Sequence, residues 1–230
     1  MPPVLLALAF ILTTALTLGV LLRAAPRHRL RLLAGLGLWL LAQAAVALSG
    51  FYTVTDTLPP RFALVVGPPL LGLLALLATV RGRRFLSALR LNWLTLLHVV
   101  RIPVELVLWG LYHYQAVPRL MTFEGRNWDI LMGLTAPLVY YVAFRRRWLG
   151  RGGLVVWNVV GLVLLGNIVR LGLLSASGPF QQFSFEQPNV ALQLFPYVWL
   201  PAFVVPVVLL AHMAVLWQLV WGGDRAGEVS

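Results

Sequence analysis

Long apolar runs separated by short polar stretches set the pattern of this chain. Seven runs of about twenty residues lie at about 3–22, 31–52, 62–80, 90–112, 129–147, 153–175 and 195–221. That is the length an α-helix needs to cross roughly 30 Å of hydrocarbon. The pattern predicts an all-α, polytopic membrane protein built as a seven-transmembrane-helix bundle. The first run has no positive stretch before it and meets its first basic residue only at Arg23, so it reads as a retained span and not a signal peptide. The connections are too short to bury a second core, and residues 1–230 are expected to form a single integral membrane domain. Spans 1–3 and 5–7 share direction and a basic first connection, which allows a three-plus-one-plus-three parallel repeat.

The polar stretches alternate in charge. Arg23, Arg27, Arg29 and Arg31 fill the first connection, Arg81, Arg83, Arg84 and Arg90 the third, and Arg145, Arg146, Arg147 and Arg151 the fifth, whereas the second, fourth and sixth hold only Arg61, Arg119 and Arg126. Twelve arginines against three is an orientation signal under the positive-inside bias. It places the amino terminus outside and the carboxyl terminus, with the tail "GGDRAGEVS", in the cytoplasm.

Composition sharpens this. Of the 230 residues 60% are hydrophobic and 11% charged, and the mean hydropathy is +0.86, far from the balance of a water-soluble domain. A net charge of +11 would suit nucleic acid, but the basic residues sit in loops between spans, so the expected partners are the lipid bilayer and a small-molecule ligand, with no nucleic acid. All 18 basic residues are arginine, as base composition of a genome would produce, and a bacterial inner (cytoplasmic) membrane is the expected location. The absence of cysteine excludes thiol catalysis and Cys-ligated metal. The absence of lysine excludes a retinal Schiff base, and no GxSxG elbow, HExxH helix or phosphate-cradling glycine loop occurs. Oligomeric state has no signature.

Candidate chemistry lies inside the spans. In "LHVVRIPVELVLWGLYHY", His98, Arg101, Glu105, Trp109 and Tyr112 fall on one side of the fourth helix. Facing lipid, each charge would cost about 2.5–3.5 kcal/mol, so the stripe is expected to face other helices or a wet cavity between spans 2, 4, 6 and 7. Depth counting puts Glu105 level with Arg170 of the sixth span, predicting a Glu105–Arg170 ion pair with Asn167 and Gln43 nearby. His98 and His212 fall at similar depth, where two imidazoles would suit a b-type haem or a shared metal; without that pairing they only hydrogen-bond neighbouring helices. Prolines at 68, 69, 103, 137, 196, 201 and 206 free backbone carbonyls that need partners in lipid, and imply a gap between helices. Asp56, Glu124, Arg126, Asp129 and Glu186 are expected to form an outer lid, with Asp129 also suited to begin a helix.

These residues fit three function classes. The leading one is binding or transport of a small anionic or amphiphilic molecule through an intramembrane polar cavity, with Arg101 and Arg170 as anion contacts and Glu105 as counter-ion or proton-coupling group. The others are a membrane-embedded enzyme acting on a lipid or isoprenoid, with Glu105 or Asp56 as acid or base, and a haem-binding membrane protein. A bundle bolted together by the same polar groups, with no chemistry, is the plain alternative.

Overall fold

The computed structural model describes residues 3–222, and the charged tail beyond Gly222 lies outside them. The described residues form a multi-pass membrane bundle of α-helices: α1 (Val4–Ala24), α2 (Arg29–Leu48), α3 (Ala63–Ala78), α4 (Val80–Ser87), α5 (Leu91–Leu97), α6 (Arg101–His113), α7 (Ile130–Tyr140), α8 (Arg151–Leu174) and α9 (Val205–Trp221). A 3-10 turn, His98–Val100, joins α5 to α6, and π-helical turns extend α7 to Arg145 and precede α9 from Leu200. Among the described residues five helical stretches are long and apolar enough to cross a membrane, and α3 with α4 makes a sixth if the bent pair counts as one.

The remaining apolar runs form shorter elements, and local chemistry says why. α3 stops at Thr79, whose extended backbone turns the chain by 91° and whose hydroxyl accepts from Gly82 N at 3.1 Å as the N-cap of α4. Gly82 has no side chain because a β-carbon there would run into the Leu76 backbone. α4, with Arg81 and Arg84 exposed and Leu86 buried, runs almost at right angles to the span before it. Ile130–Arg145 is short because the chain before it has already descended into the bundle: Met121, Thr122, Asn127 and Asp129 are all buried.

Two helical stretches are central. In Leu91–His113 and Leu200–Trp221, 61% of the span is buried, against 22–28% in α1, Pro26–Leu48 and α8. The outer helices expose leucine and valine along their length, including Leu5, Leu12, Leu38, Leu71 and Val163, as lipid contact requires. Both central stretches are interrupted by proline. Pro103 cannot donate to Val99, and the helix tightens into the 3-10 turn just before it. Pro206 leaves Ala202 O without its helical donor, and Trp39 Nε1 of α2 supplies one at 2.9 Å. Trp199 Nε1 answers in the other direction, donating to Leu40 O at 2.9 Å. The expectation that each freed carbonyl needs a partner is met here by an indole.

The connections gather at two ends. At one, Arg90 N donates to Ala24 O at 2.9 Å, Gln218 Nε2 reaches Leu86 O and Leu89 O at 2.8 and 2.9 Å, and Arg151 Nη2 reaches Val220 O at 3.5 Å. This basic end joins the three arginine-rich connections to the end of α9. At the loop end, Val190 N donates to Ala116 O at 3.1 Å, Gln187 Nε2 to Val117 O at 2.7 Å and Asn167 Nδ2 to Arg126 O at 2.8 Å.

Candidate functional site

The intramembrane charges turn inward, but onto partners other than those expected. Arg101 Nη1 donates to Asp129 Oδ1 at 2.6 Å, the one ion pair among the described residues. Its Nη2 lies 2.7 Å from His212 Nε2. A guanidinium has only donors, so His212 Nε2 must accept, and the ring proton must sit on Nδ1. That nitrogen is 2.8 Å from Asn158 Oδ1, while Asn158 Nδ2 is spent on Leu154 O at 2.8 Å, which fixes the amide as acceptor. The tautomer of His212 follows from bonding alone.

The chain of contacts continues on the other side of Asp129. Its backbone N–H donates to Asn127 Oδ1 at 3.1 Å, and Asn127 Nδ2 donates to Met121 O at 3.1 Å and to Glu105 Oε1. Six side chains from α6, the α6–α7 connection, α8 and α9 thus form one network, Glu105–Asn127–Asp129–Arg101–His212–Asn158, in which the most exposed member, Asp129, is 6% accessible. Small residues admit it. At Gly133 a β-carbon would lie 2.8 Å from Ile102 Cγ1 and 3.1 Å from Ile102 N, and at Gly161 it would run into the His212 ring.

Several expectations are corrected. Glu105 does not pair with Arg170, whose exposed guanidinium lies over the Phe183 ring at 5.6 Å. Glu105 faces into the bundle and Arg170 faces out of it. Asn167 serves Arg126 O, and Gln43 accepts from Tyr52 Oη at 2.8 Å, so neither joins the network. Asp129 is no lid residue, because Asn127 and Arg101 draw it into the core. Of the expected lid, Glu124, Arg126 and Glu186 do line one depression at the loop end, of about 490 Å3, while Asp56 stands apart. Trp109 turns out of the stripe to donate to Glu124 Oε1 at 2.7 Å.

His98 and His212 do meet, with ring centroids 4.1 Å apart and planes at 27°. Stacked rings set their nitrogens side by side, whereas haem needs them to point at an iron from opposite faces. His212 has also committed both nitrogens. The pair does not fit a haem, and among the described residues no group of three or more His, Cys, Asp or Glu has metal-binding geometry. His98 instead packs edge-on against Trp157 at 5.2 Å.

Where a polar cavity was expected between spans 2, 4, 6 and 7, the polar side chains bond to one another, leaving Arg101 Nε, Glu105 Oε2 and both His98 nitrogens buried without a partner among the described residues, and the open volumes beside these spans have apolar walls. A groove of about 630 Å3 runs between α2, α3 and α9, lined by Leu32, Leu36, Trp39, Pro68, Pro69, Gly72, Phe203, Pro206 and Leu210, with His28 and Arg31 at one end. Pro68, Pro69 and Pro206 border it, and its walls are apolar. A second apolar cavity of about 240 Å3 lies between α3, α6, α8 and α9, beside Leu108, Gly166 and Leu209.

Sequence reasoning placed Asn127 only among the polar residues of the outer connections and missed its part in the network, and it missed Asn158 altogether. Asn158 interrupts the apolar run "LVVWNVVG", a signal that an amide in mid-span needs a partner. Asn127 carried none, since "GRNWD" has the composition of a solvated turn.

The family described as Domain of unknown function (DUF8737) matches residues 59–220. The chain belongs to this family. All six network residues lie within the DUF8737 region, whereas α1, α2 and the His28–Arg31 end of the groove precede it. No curated protein and no solved structure matches the chain.

Proposed function

We propose that this DUF8737 protein binds an amphiphile with an anionic head in the groove between α2, α3 and α9, and serves its passage across or along the membrane. The observation that carries this reading is the groove itself: long, apolar through most of its wall, flanked by lipid-facing helices, and basic at the Arg31 end. An apolar tail lies against Leu36, Phe203 and Leu210, and a negative head lies near Arg31 and His28. The Arg101 network supports the site from behind. α9 carries His212 on the network side and Phe203 and Pro206, at or just before its start, on the groove side, so the network fixes one wall in place. Glu105 lines neither cavity and is 1% exposed, which favours binding over acid–base chemistry at that carboxyl.

The same proposal takes the chain as a single domain with seven crossings in a bacterial inner membrane, amino terminus outside and carboxyl terminus in the cytoplasm. Its support is the twelve-to-three division of arginines and the gathering of the three basic connections with the end of α9 at one end of the bundle.

Gly72 offers the test. A β-carbon there meets nothing within 4 Å, so Gly72→Trp projects into the groove without disturbing the backbone. Native mass spectrometry of the purified wild-type protein is expected to show a retained amphiphile that Gly72→Trp loses and Gly166→Trp, which fills the second cavity, keeps. Retention by Gly72→Trp, or a wild-type protein that neither retains nor takes up added anionic lysolipid, overturns the reading.

A further inference from the structure

The basic end carries a second feature, independent of the groove. Arg23 at the end of α1, Arg29 at the start of α2 and Arg90 just before α5 converge on one depression of about 380 Å3, floored by Leu22, Pro26 and Trp93. The chain before α5 is tied to the end of α1 there, since Arg90 N donates to Ala24 O at 2.9 Å. The Arg23 guanidinium is held over the Trp93 ring at 5.1 Å, leaving its donors free to point past the indole.

Nothing described in the protein neutralises these cations. Of the five carboxylates among the described residues, Glu105 and Asp129 are inside the network, and Asp56, Glu124 and Glu186 belong to the loop-end connections. The helix dipole favours Arg23, in the last turn of α1, but not Arg29: α2 has no acidic residue in its first turn, and a cation there opposes the dipole. Three guanidiniums beside an interfacial tryptophan, at the edge of a lipid-facing bundle, form a cradle for a phosphate. Basic pockets between helices at the membrane surface hold anionic lipid head groups, and arginine suits phosphate oxygens by its paired donors.

We propose that Arg23, Arg29 and Arg90 bind the phosphodiester of an anionic phospholipid, whose acyl chains lie along α1 and α5 beside Trp93. The test uses the full chain in zwitterionic nanodiscs titrated with phosphatidylglycerol, with bound lipid counted by native mass spectrometry. Each guanidinium near the surface is worth about fivefold in affinity, so the Arg23→Gln/Arg29→Gln/Arg90→Gln variant is expected to lose the tightest phosphatidylglycerol by about a hundredfold. A charge-matched control, Arg145→Gln/Arg146→Gln/Arg151→Gln, is expected to change it less than about threefold. If the triple variant does not fold, Arg29→Gln alone is expected to lose about fivefold. Inorganic phosphate in detergent tests for a free anion, and is expected to leave the unfolding midpoint unmoved where phosphatidylglycerol raises it. Equal losses in the two triple variants, or full stabilisation by inorganic phosphate alone, overturn the proposal.

Discussion

Replacing Asp129 by leucine tests whether the buried network is one energetic unit. Asp129 is one of Arg101's two hydrogen-bond partners, at 2.6 Å, and the other is a neutral imidazole nitrogen, so Asp129→Leu leaves a guanidinium buried at 2% exposure without its bonded counter-charge. Removing one partner of a buried ion pair costs about 3–5 kcal/mol. Exchanging both partners for apolar groups is often close to neutral, but Arg101→Met also strips His212 Nε2 of its donor, worth about 1–3 kcal/mol. The double variant Arg101→Met/Asp129→Leu is therefore expected to be more stable than Asp129→Leu alone, by about 2 kcal/mol. Unfolding by sodium dodecyl sulfate in mixed micelles, followed by tryptophan fluorescence, measures this; Trp157 sits against both imidazoles and reports on the site. Asp56→Leu, at an exposed loop-end position, serves as the reference and is expected to stay within about 0.5 kcal/mol of wild type. Ordinary interhelical polar contacts in membranes average about 0.6 kcal/mol, because the inserted unfolded helices also find partners. An Asp129→Leu cost no larger than that, or a double variant weaker than the single one by the full cost of Arg101→Met, refutes the reasoning.

Two further outcomes follow from positions already described. Gly161→Ala is expected to lose about 1–3 kcal/mol in the same unfolding assay, because its methyl group meets a His212 ring pinned by Arg101 and Asn158. Gly166→Ala on the same helix, with nothing within 4 Å of its β-carbon, is expected to be neutral or slightly stabilised; equal behaviour of the two would remove the steric argument. Because the chain has no cysteine, single substitutions can be labelled without background. A membrane-impermeant maleimide is expected to reach Thr55→Cys in intact cells and Ser87→Cys only after permeabilisation, and the reverse pattern would invert the orientation.

What the sequence by itself determined is the environment and most of the element list. Runs of twenty apolar residues have one stable form in hydrocarbon, since a backbone without water must bond to itself, and each of the seven runs became helix. It also determined that Arg101 and Glu105 turn inward, because the cost of facing lipid depends on residue type and depth alone. Which partners they meet was decided by tertiary structure. Depth along a helix is readable from residue count, but the rotation of one helix against another depends on where small residues such as Gly133 and Gly161 let backbones approach, and that is a property of pairs of helices. The descent of residues 121–129 into the bundle was equally out of reach: "TFEGRNWD" is polar enough to sit in water, and Arg101 beneath it, with Asn127 beside it, makes burial of Asp129 favourable. The same holds for the open volume. Proline pointed to gaps between helices, and the packing of α2 and α3 against α9 decided that the groove beside Pro68, Pro69 and Pro206 would have apolar walls.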